Sequence, residues 1–336
     1  MARIVTANNE TLEQAGAALR AGQLVVIPTE TVYGLGANAW DGQAVAKIFA
    51  AKGRPSFNPL IVHAADVDTA LALAEPNHVA RQLAHQFWPG PLTIIMNMGS
   101  ESKISDLCTA GLGTVAVRVP AHPVAQAIIR AAGVPVAAPS ANRSGTISPT
   151  TAQHVAESLG DNIDLIVAAG SCAVGLESTV IDTTGDVPLI LRPGVITAED
   201  ISAFLGYEVG IDLGDHAAPK SPGQILRHYA PHIPIRLNAV DVKPNEALLA
   251  FGSLKFMGIV GGGFAKTLPD HQLKNLSETG DLYEAAANLF RMMRLLDQSE
   301  FDGIAVMSVP QQGLGIAIND RLRRAAATHD VDPSKA

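Results

Sequence analysis

Charge, aromatics and cysteine are all scarce in this chain of 336 residues. Only 17% of its residues are charged and the formal net charge is −8. Broad electrostatic binding to RNA or DNA needs a basic surface that displaces counterions, so this balance argues against it and leaves room only for a local basic pocket. The two cysteines, Cys108 and Cys172, lie far apart without a CxxC pair, which gives no basis for a zinc site or a disulfide framework. The opening MARIVTANNE has no signal-peptide apolar core, and no apolar run reaches the roughly 18 residues of a membrane span. The expected location is the cytoplasm, with no membrane partner. A GxxxxGK[ST] loop is missing, and no GxGxxG follows a strand, so side chains and loop amides must hold any phosphate.

What is present is aliphatic. Hydrophobic residues make up 47% and aromatics 4%, beside 30 glycines and 21 prolines. That combination suits a turn-rich α/β protein with aliphatic cores, and the length suits two domains. Thr11 and Gln14 stand at capping-box spacing before a helix that Gly22 stops, LVVI (24–27) reads as a strand, and PTETVYGLG breaks the pattern as a glycine turn. A second helix runs from Asp41 to Lys52, with Gly53 ending it. Strands are expected at 60–62, 92–96, 114–119, 134–138, 165–169 and 178–182, with helices around 123–133 and 151–160. Residues 214–231, rich in Pro and Gly, read as a linker between domains at 1–213 and 232–336. Beyond it IPIRL, EALLAF, the helix DLYEAAANLFRMMRLLD, GIAVMSV and NDRLRRAAA alternate as a small parallel sheet would.

The polar residues cluster at strand ends. AKGRPSFNPLIVH carries Lys52 and Arg54 with no acid beside them, then Asn58 and His63. Alone, the lysine could complement a helix dipole, the arginine could face water, and the histidine could be structural. TVAVRVP, however, puts Arg118 inside an apolar strand, where a guanidinium needs an anionic partner or solvent. APSANRSG adds Ser140 and Asn142, LESTVID adds Ser178, and LRPG adds Arg192. Four cations flanking strands in a charge-poor chain point to a shared site for a carboxylate or phosphate.

PTETVYGLG, KGRPSFNPLIVH, TVAVRVP, PSANRSG, ESTVID and RPG occur in the order found in the YrdC-like threonylcarbamoyl-AMP synthases, which this sequence resembles over most of its length. SPGQILRHYAP and GLGIAINDRLRRAA resemble the long, two-domain form. The resemblance implies a twisted mixed N-terminal sheet with a concave cavity and a smaller Rossmann-like C-terminal α/β domain. The implied enzyme joins L-threonine, bicarbonate and ATP into threonylcarbamoyl-AMP, releasing pyrophosphate, for modification of the adenosine beside the anticodon in tRNA. A separate tRNA threonylcarbamoyl transferase complex would take the product.

By the same resemblance, the KxR…SxN signature falls on Lys52, Arg54, Ser140 and Asn142, as the catalytic set. Threonine would meet Thr31, His63, Arg118, Ala138 and Ser178, with Arg118 on the carboxylate. ATP would meet Arg54, Asn58, Thr114, Ser140, Ser148 and Arg192, with Tyr229 reaching back from the linker to close the site. No protein ligands for a metal are expected, so Mg²⁺ would ride on the ATP phosphates. Gln224, Ile225 and Leu226 depart from the family's linker. The rival readings are a non-catalytic RNA-binding module of the same type, with direct tRNA binding left open, and a carbamoyl-adenylate chemistry of the hydrogenase-maturation kind, for which the extra cysteine modules are missing.

Overall fold

A computed structural model describes residues 2–214, 228–255 and 257–327. Most of the expected linker, including Gln224, Ile225 and Leu226, and the closure over the site expected of it, lie outside the described residues. Among the described residues no helix is long and apolar enough to cross a membrane. The chain divides into two compact units. The first holds the described residues up to Gly214 except 145–147 and 174–176, and these two short segments group with the residues from 228 onward. A cut near residue 214 in the chain therefore does not by itself separate the two units.

In chain order the first unit runs β1 (Arg3–Thr6), α1 (Asn9–Arg20), β2 (Val25–Ile27), β3 (Gly34–Asn38), α2 (Gly42–Lys52), β4 (Ile61–His63), α3 (Val67–Leu71), α4 (His78–Phe87), β5 (Leu92–Asn97), α5 (Asp106–Thr109), β6 (Thr114–Arg118), α6 (Pro123–Ala132), β7 (Val136–Ala137), α7 (Ala152–Leu159), β8 (Leu165–Ala168), β9 (Thr179–Asp182), β10 (Leu189–Arg192), α8 (Ala198–Leu205) and β11 (Gly210–Ile211). Eleven strands form one mixed sheet in the order β1-β8-β2-β3-β7-β4-β6-β5-β9-β10-β11.

Local chemistry sets the helix ends. The capping box of α1 is Asn8 with Thr11, not Thr11 with Gln14: the Asn8 side chain accepts from the Thr11 N–H at 3.0 Å, and Thr11 Oγ1 accepts from the Asn8 N–H at 2.9 Å. Gln14 instead faces outward to Glu10 and Arg3. Asp41 accepts from the N–H groups of Gln43 and Ala44 to start α2, and Gly53 ends it in the left-handed region at φ 60°. Lys52 is thereby the last residue of that helix.

PTETVYGLG departs from its expected reading. Its tail is strand β3, antiparallel to β2 with Ile27 opposite Gly34 and Val25 opposite Gly36. Glycine at 36 answers close approach, since a Cβ there would lie 3.0 Å from both Val25 O and Val136 Cγ1.

Side chains alternate across the sheet with period two. Val26, Leu35, Val62, Ile94, Val117 and Ile181 face the larger core, which includes Ala44, Val45 and Ile48 of α2, Leu83 of α4 and Val155 of α7. On the opposite face α1 and α6 cover one end of the sheet, packing Ala15, Leu19, Ile128 and Ala132 on Val25, Ile27, Val136 and Val167. Further along, that same face carries a separate small cluster made of strand residues: Ile61, Ile95, Ala116, Val180 and Leu191.

The second unit contains β12 (Ile235–Arg236), β13 (Asp241–Val242), β14 (Glu246–Ala250), β15 (Gly258–Ile259), β16 (Leu273–Asn275), α9 (Leu282–Leu296), β17 (Gly303–Val306) and α10 (Leu314–Ala326). Strands β12, β17, β14 and β16 pair in parallel in that order, as the strand–helix alternation predicts. The helix read from NDRLRRAAA begins earlier, at Leu314. Within this unit Ala230 donates its N–H to Gly145 O at 2.8 Å, and Arg294 donates to Ile147 O.

Candidate active site

The small apolar cluster is bordered by a polar row that the strand registers create. His63 stands opposite Arg118 between β4 and β6. One step beyond the Ile94–Val117 pair brings Arg118 level with Thr93, Thr93 is opposite Val180, and Val180 is opposite Arg192. Alternation puts His63, Arg118 and Thr93 on the face of Ile61, Ala116 and Ile95. Strict alternation along β10 would send Arg192 to the other side with Ile190, but the register shifts between Ile190 and Arg192. This bulge turns the arginine onto the polar row.

Arg118 is 3% exposed and finds its anionic partner in Glu30, a residue absent from the expected site. Its Nε donates to Gly90 O at 3.1 Å, Nη1 to Thr31 Oγ1 at 2.9 Å, and Nη2 to Glu30 Oε1. Thr31 Oγ1 also lies 2.8 Å from Thr29 Oγ1, which donates to Val32 O at 2.6 Å. One guanidinium thus fastens the turn after β2 to the end of β6. Burial pushes the Glu30 carboxyl up, but Arg118 and backbone N–H groups outweigh it and hold it below the usual carboxylate range. His63 is pushed down to about 3, by burial first and by Arg118 second. Its imidazole is therefore neutral at neutral pH.

Beside this group, Arg192 donates from Nε to Ser178 O and from Nη2 to Ser178 Oγ, each at 3.0 Å, and Ser178 Oγ lies 2.7 Å from Thr93 Oγ1. Ser148 Oγ donates to Glu177 Oε1, next in the chain to Ser178. The Ser178–Arg192 and Ser148–Glu177 contacts are thereby continuous.

The cations of KGRP are occupied by main-chain oxygen. Lys52 Nζ donates to the carbonyls of Ser140 and Asn142, while Ser144 N donates to Lys52 O at 2.8 Å. Burial, then the neighbouring Arg54, lowers the Lys52 ammonium well below its ordinary value. Arg54 donates from Nε to Asn58 O at 3.2 Å and from Nη2 to Pro59 O at 2.9 Å. Asn58 is buried, and its Oδ1 accepts no hydrogen bond. The Ser140 loop is laced to the turn after β2, since Ala141 N donates to Tyr33 O at 2.8 Å and Tyr33 N to Pro149 O at 2.9 Å. The Ala138 N–H donates to Ile61 O at 3.0 Å, beside the apolar cluster.

One expected residue stands apart within the first unit. Thr114 is at the other end of β6 from Arg118, four residues or roughly 13 Å along the strand. Tyr229 belongs to the second unit, 1% exposed, with its ring stacked on Phe290 at 5.4 Å and under Arg321 at 5.5 Å. Sequence reasoning missed Glu30, Thr93 and Glu177. The available signal for Glu30 was the need of a buried Arg118 for an anion, which names no residue.

The family described as Sua5/YciO/YrdC, telomere recombination, matches residues 17–194. A second, described as threonylcarbamoyl-AMP synthase C-terminal domain, matches residues 196–327. The chain is 41% identical over 329 residues to a Bacillus subtilis protein named threonylcarbamoyl-AMP synthase, covering 96% of this chain and 94% of the relative. It is 41% identical over 324 residues to a Pyrococcus abyssi protein of the same name, covering 92% of each. A crystal structure of P. abyssi Sua5 complexed with L-threonine superposes with a TM-score of 0.86 at 36% identity, covering 97% of this chain and 98% of that one. On these matches the chain belongs to the Sua5/YciO/YrdC family, in the form that also carries the threonylcarbamoyl-AMP synthase C-terminal domain.

Proposed function

We propose that this protein is a threonylcarbamoyl-AMP synthase, joining L-threonine, bicarbonate and ATP and releasing pyrophosphate. The observation that carries the reading is the row of His63, Arg118 and Arg192 on one sheet face, where two buried guanidiniums and a neutral imidazole surround hydroxyl groups. In such a site the protein's work is to place two anions against each other and to offset charge as pyrophosphate leaves.

Threonine's amine condenses with bicarbonate to a carbamate, with loss of water, and a carbamate oxygen attacks the α-phosphorus of ATP. Arg118 has five N–H donors, of which three are engaged in the fold, so two are left for the threonine carboxylate. Thr31, His63, the Ala138 main chain and Ser178 complete the threonine side. Arg54, Asn58, Ser140, Ser148 and Arg192, with Thr114 at the far end of β6, form the nucleotide side. Lys52 shapes the Ser140–Asn142 loop through its two carbonyl contacts. A Mg²⁺ that accompanies ATP would take its oxygens mainly from the phosphates. The product serves the threonylcarbamoylation of tRNA through a separate transferase complex.

The test supplies the full chain with L-threonine, labelled bicarbonate and ATP. Labelled threonylcarbamoyl-AMP and one pyrophosphate per product are expected. Absence of both from the wild-type chain would overturn the reading.

A further inference from the structure

The Glu30–Arg118 pair is only half used. Glu30 Oε1 accepts from Arg118 Nη2, but Oε2 is buried and accepts no hydrogen bond. Arginine–carboxylate pairs are frequently bidentate, with both oxygens against the guanidinium fork. Here the fork is spread over three partners, Gly90 O, Thr31 Oγ1 and Glu30 Oε1, and each terminal nitrogen retains one further N–H. His63, opposite Arg118 in the neighbouring strand, likewise has a buried Nδ1 without a hydrogen bond. A carboxylate oxygen, two guanidinium N–H groups and an imidazole nitrogen are thus left open on adjoining residues. Adjoining buried polar atoms of opposite charge left open in this way suit a polar ligand.

The ligand chemistry follows from the charge pattern. An α-amino acid is a zwitterion whose carboxylate and ammonium are separated by a single carbon. Glu30 and Arg118 present the complementary charges side by side. We propose that Glu30 receives the substrate's α-ammonium through Oε2, while Oε1 stays on Arg118 and the two open N–H groups of Arg118 take the substrate carboxylate. Glu30 is therefore a substrate-binding residue that selects for a free α-ammonium group. Its carboxyl is held below the usual range beside Arg118, so it stays anionic at neutral pH. This assignment rests on the reading of an amino acid as substrate.

The experiment compares two ligands on the full chain: L-threonine, and 3-hydroxybutanoate, which keeps the carboxylate and hydroxyl but lacks the ammonium. Threonine KM comes from pyrophosphate release, and 3-hydroxybutanoate is measured as its competitor. In Glu30→Gln, threonine affinity should fall about 10- to 100-fold, the range of a hydrogen bond between charged groups. The 3-hydroxybutanoate inhibition constant and the ATP KM should not move. Glu30→Asp, which keeps the charge, should retain part of the preference for threonine, and it carries the same comparison should the glutamine variant fail to fold. Equal losses for both ligands would mean that Glu30 only holds Arg118, and an unchanged threonine KM would mean that it holds neither. Either result overturns the proposal. Wild-type turnover is read separately, so an inactive wild type counts against the synthase reading itself.

Discussion

Arg118, at the end of β6, is paired with Glu30, 88 positions earlier in the chain, and the same guanidinium holds Thr31 Oγ1 and Gly90 O. One side chain thus joins the turn after β2, the residues before β5 and the end of β6. Fold and candidate site share that joint, so substitutions there should register in both.

Arg118→Lys tests the joint. A lysine ammonium cannot serve three acceptors set around a planar fork, and it leaves Glu30 poorly paired in a largely buried position. Urea denaturation should show a loss of roughly 2–4 kcal/mol, together with loss of threonine-dependent pyrophosphate release. Wild-type stability in this variant would remove Arg118 from the role of joint.

Lys52→Met keeps the stem of the side chain and deletes the donors to the Ser140 and Asn142 carbonyls. The chain should remain folded, because the methionine fills the same space. Turnover should fall on the order of 100-fold, the scale of a roughly 1 Å misplacement of reacting groups. A rate within a few-fold of wild type, by steady-state pyrophosphate release, would count against the need for that loop geometry.

His63 makes stability depend on pH. Its native pKa is pushed down to about 3 from an ordinary 6.5, so between those values the unfolded chain binds a proton that the native chain refuses. The stabilisation is complete above pH 6.5 and is lost as pH falls toward 3. His63→Gln should flatten the acid side of the stability profile by on the order of a few kcal/mol at pH 4. Urea titrations of both proteins at pH 7, 5.5 and 4 give the comparison, and parallel profiles would contradict it.

In the second unit Asp320 lies among buried cations, accepting from Arg324 Nε at 3.0 and 3.1 Å and from Arg321 Nη1 at 3.2 Å. Asp320, Arg321 and Arg324 are all at most 3% exposed. Asp320→Asn removes the anion and leaves the cations in place, so it should cost roughly 3 kcal/mol or more. Thermal unfolding that matches wild type would show that other contacts suffice.

Much of the fold is legible in local chemistry. Asp41, Gly53 and the apolar spacing between them define α2 without reference to the rest of the chain. Seven of the eleven strands of the large sheet, β2 and β4 to β9, are visible because β-rich runs end in turns, whereas β1, β3, β10 and β11 are not. Reading failed where a long-range contact overrides the local signal. Gly34 and Gly36 look like a turn, but they lie in β3, and at Gly36 the Val25 backbone and Val136 crowd the place of a side chain. The capping box of α1 was displaced because Thr11 serves as the reciprocal partner of Asn8 rather than as the cap itself.

The candidate site divides along the same line. The residue types, their order and the need of Arg118 for an anion are written in the sequence, since a buried guanidinium must be paired wherever it falls. That the anion is Glu30, that Lys52 binds carbonyls, and that a bulge turns Arg192 onto the row with His63 depend on strand register. Register is decided by which faces pack against which helices. Only the assembled sheet brings those distant residues level.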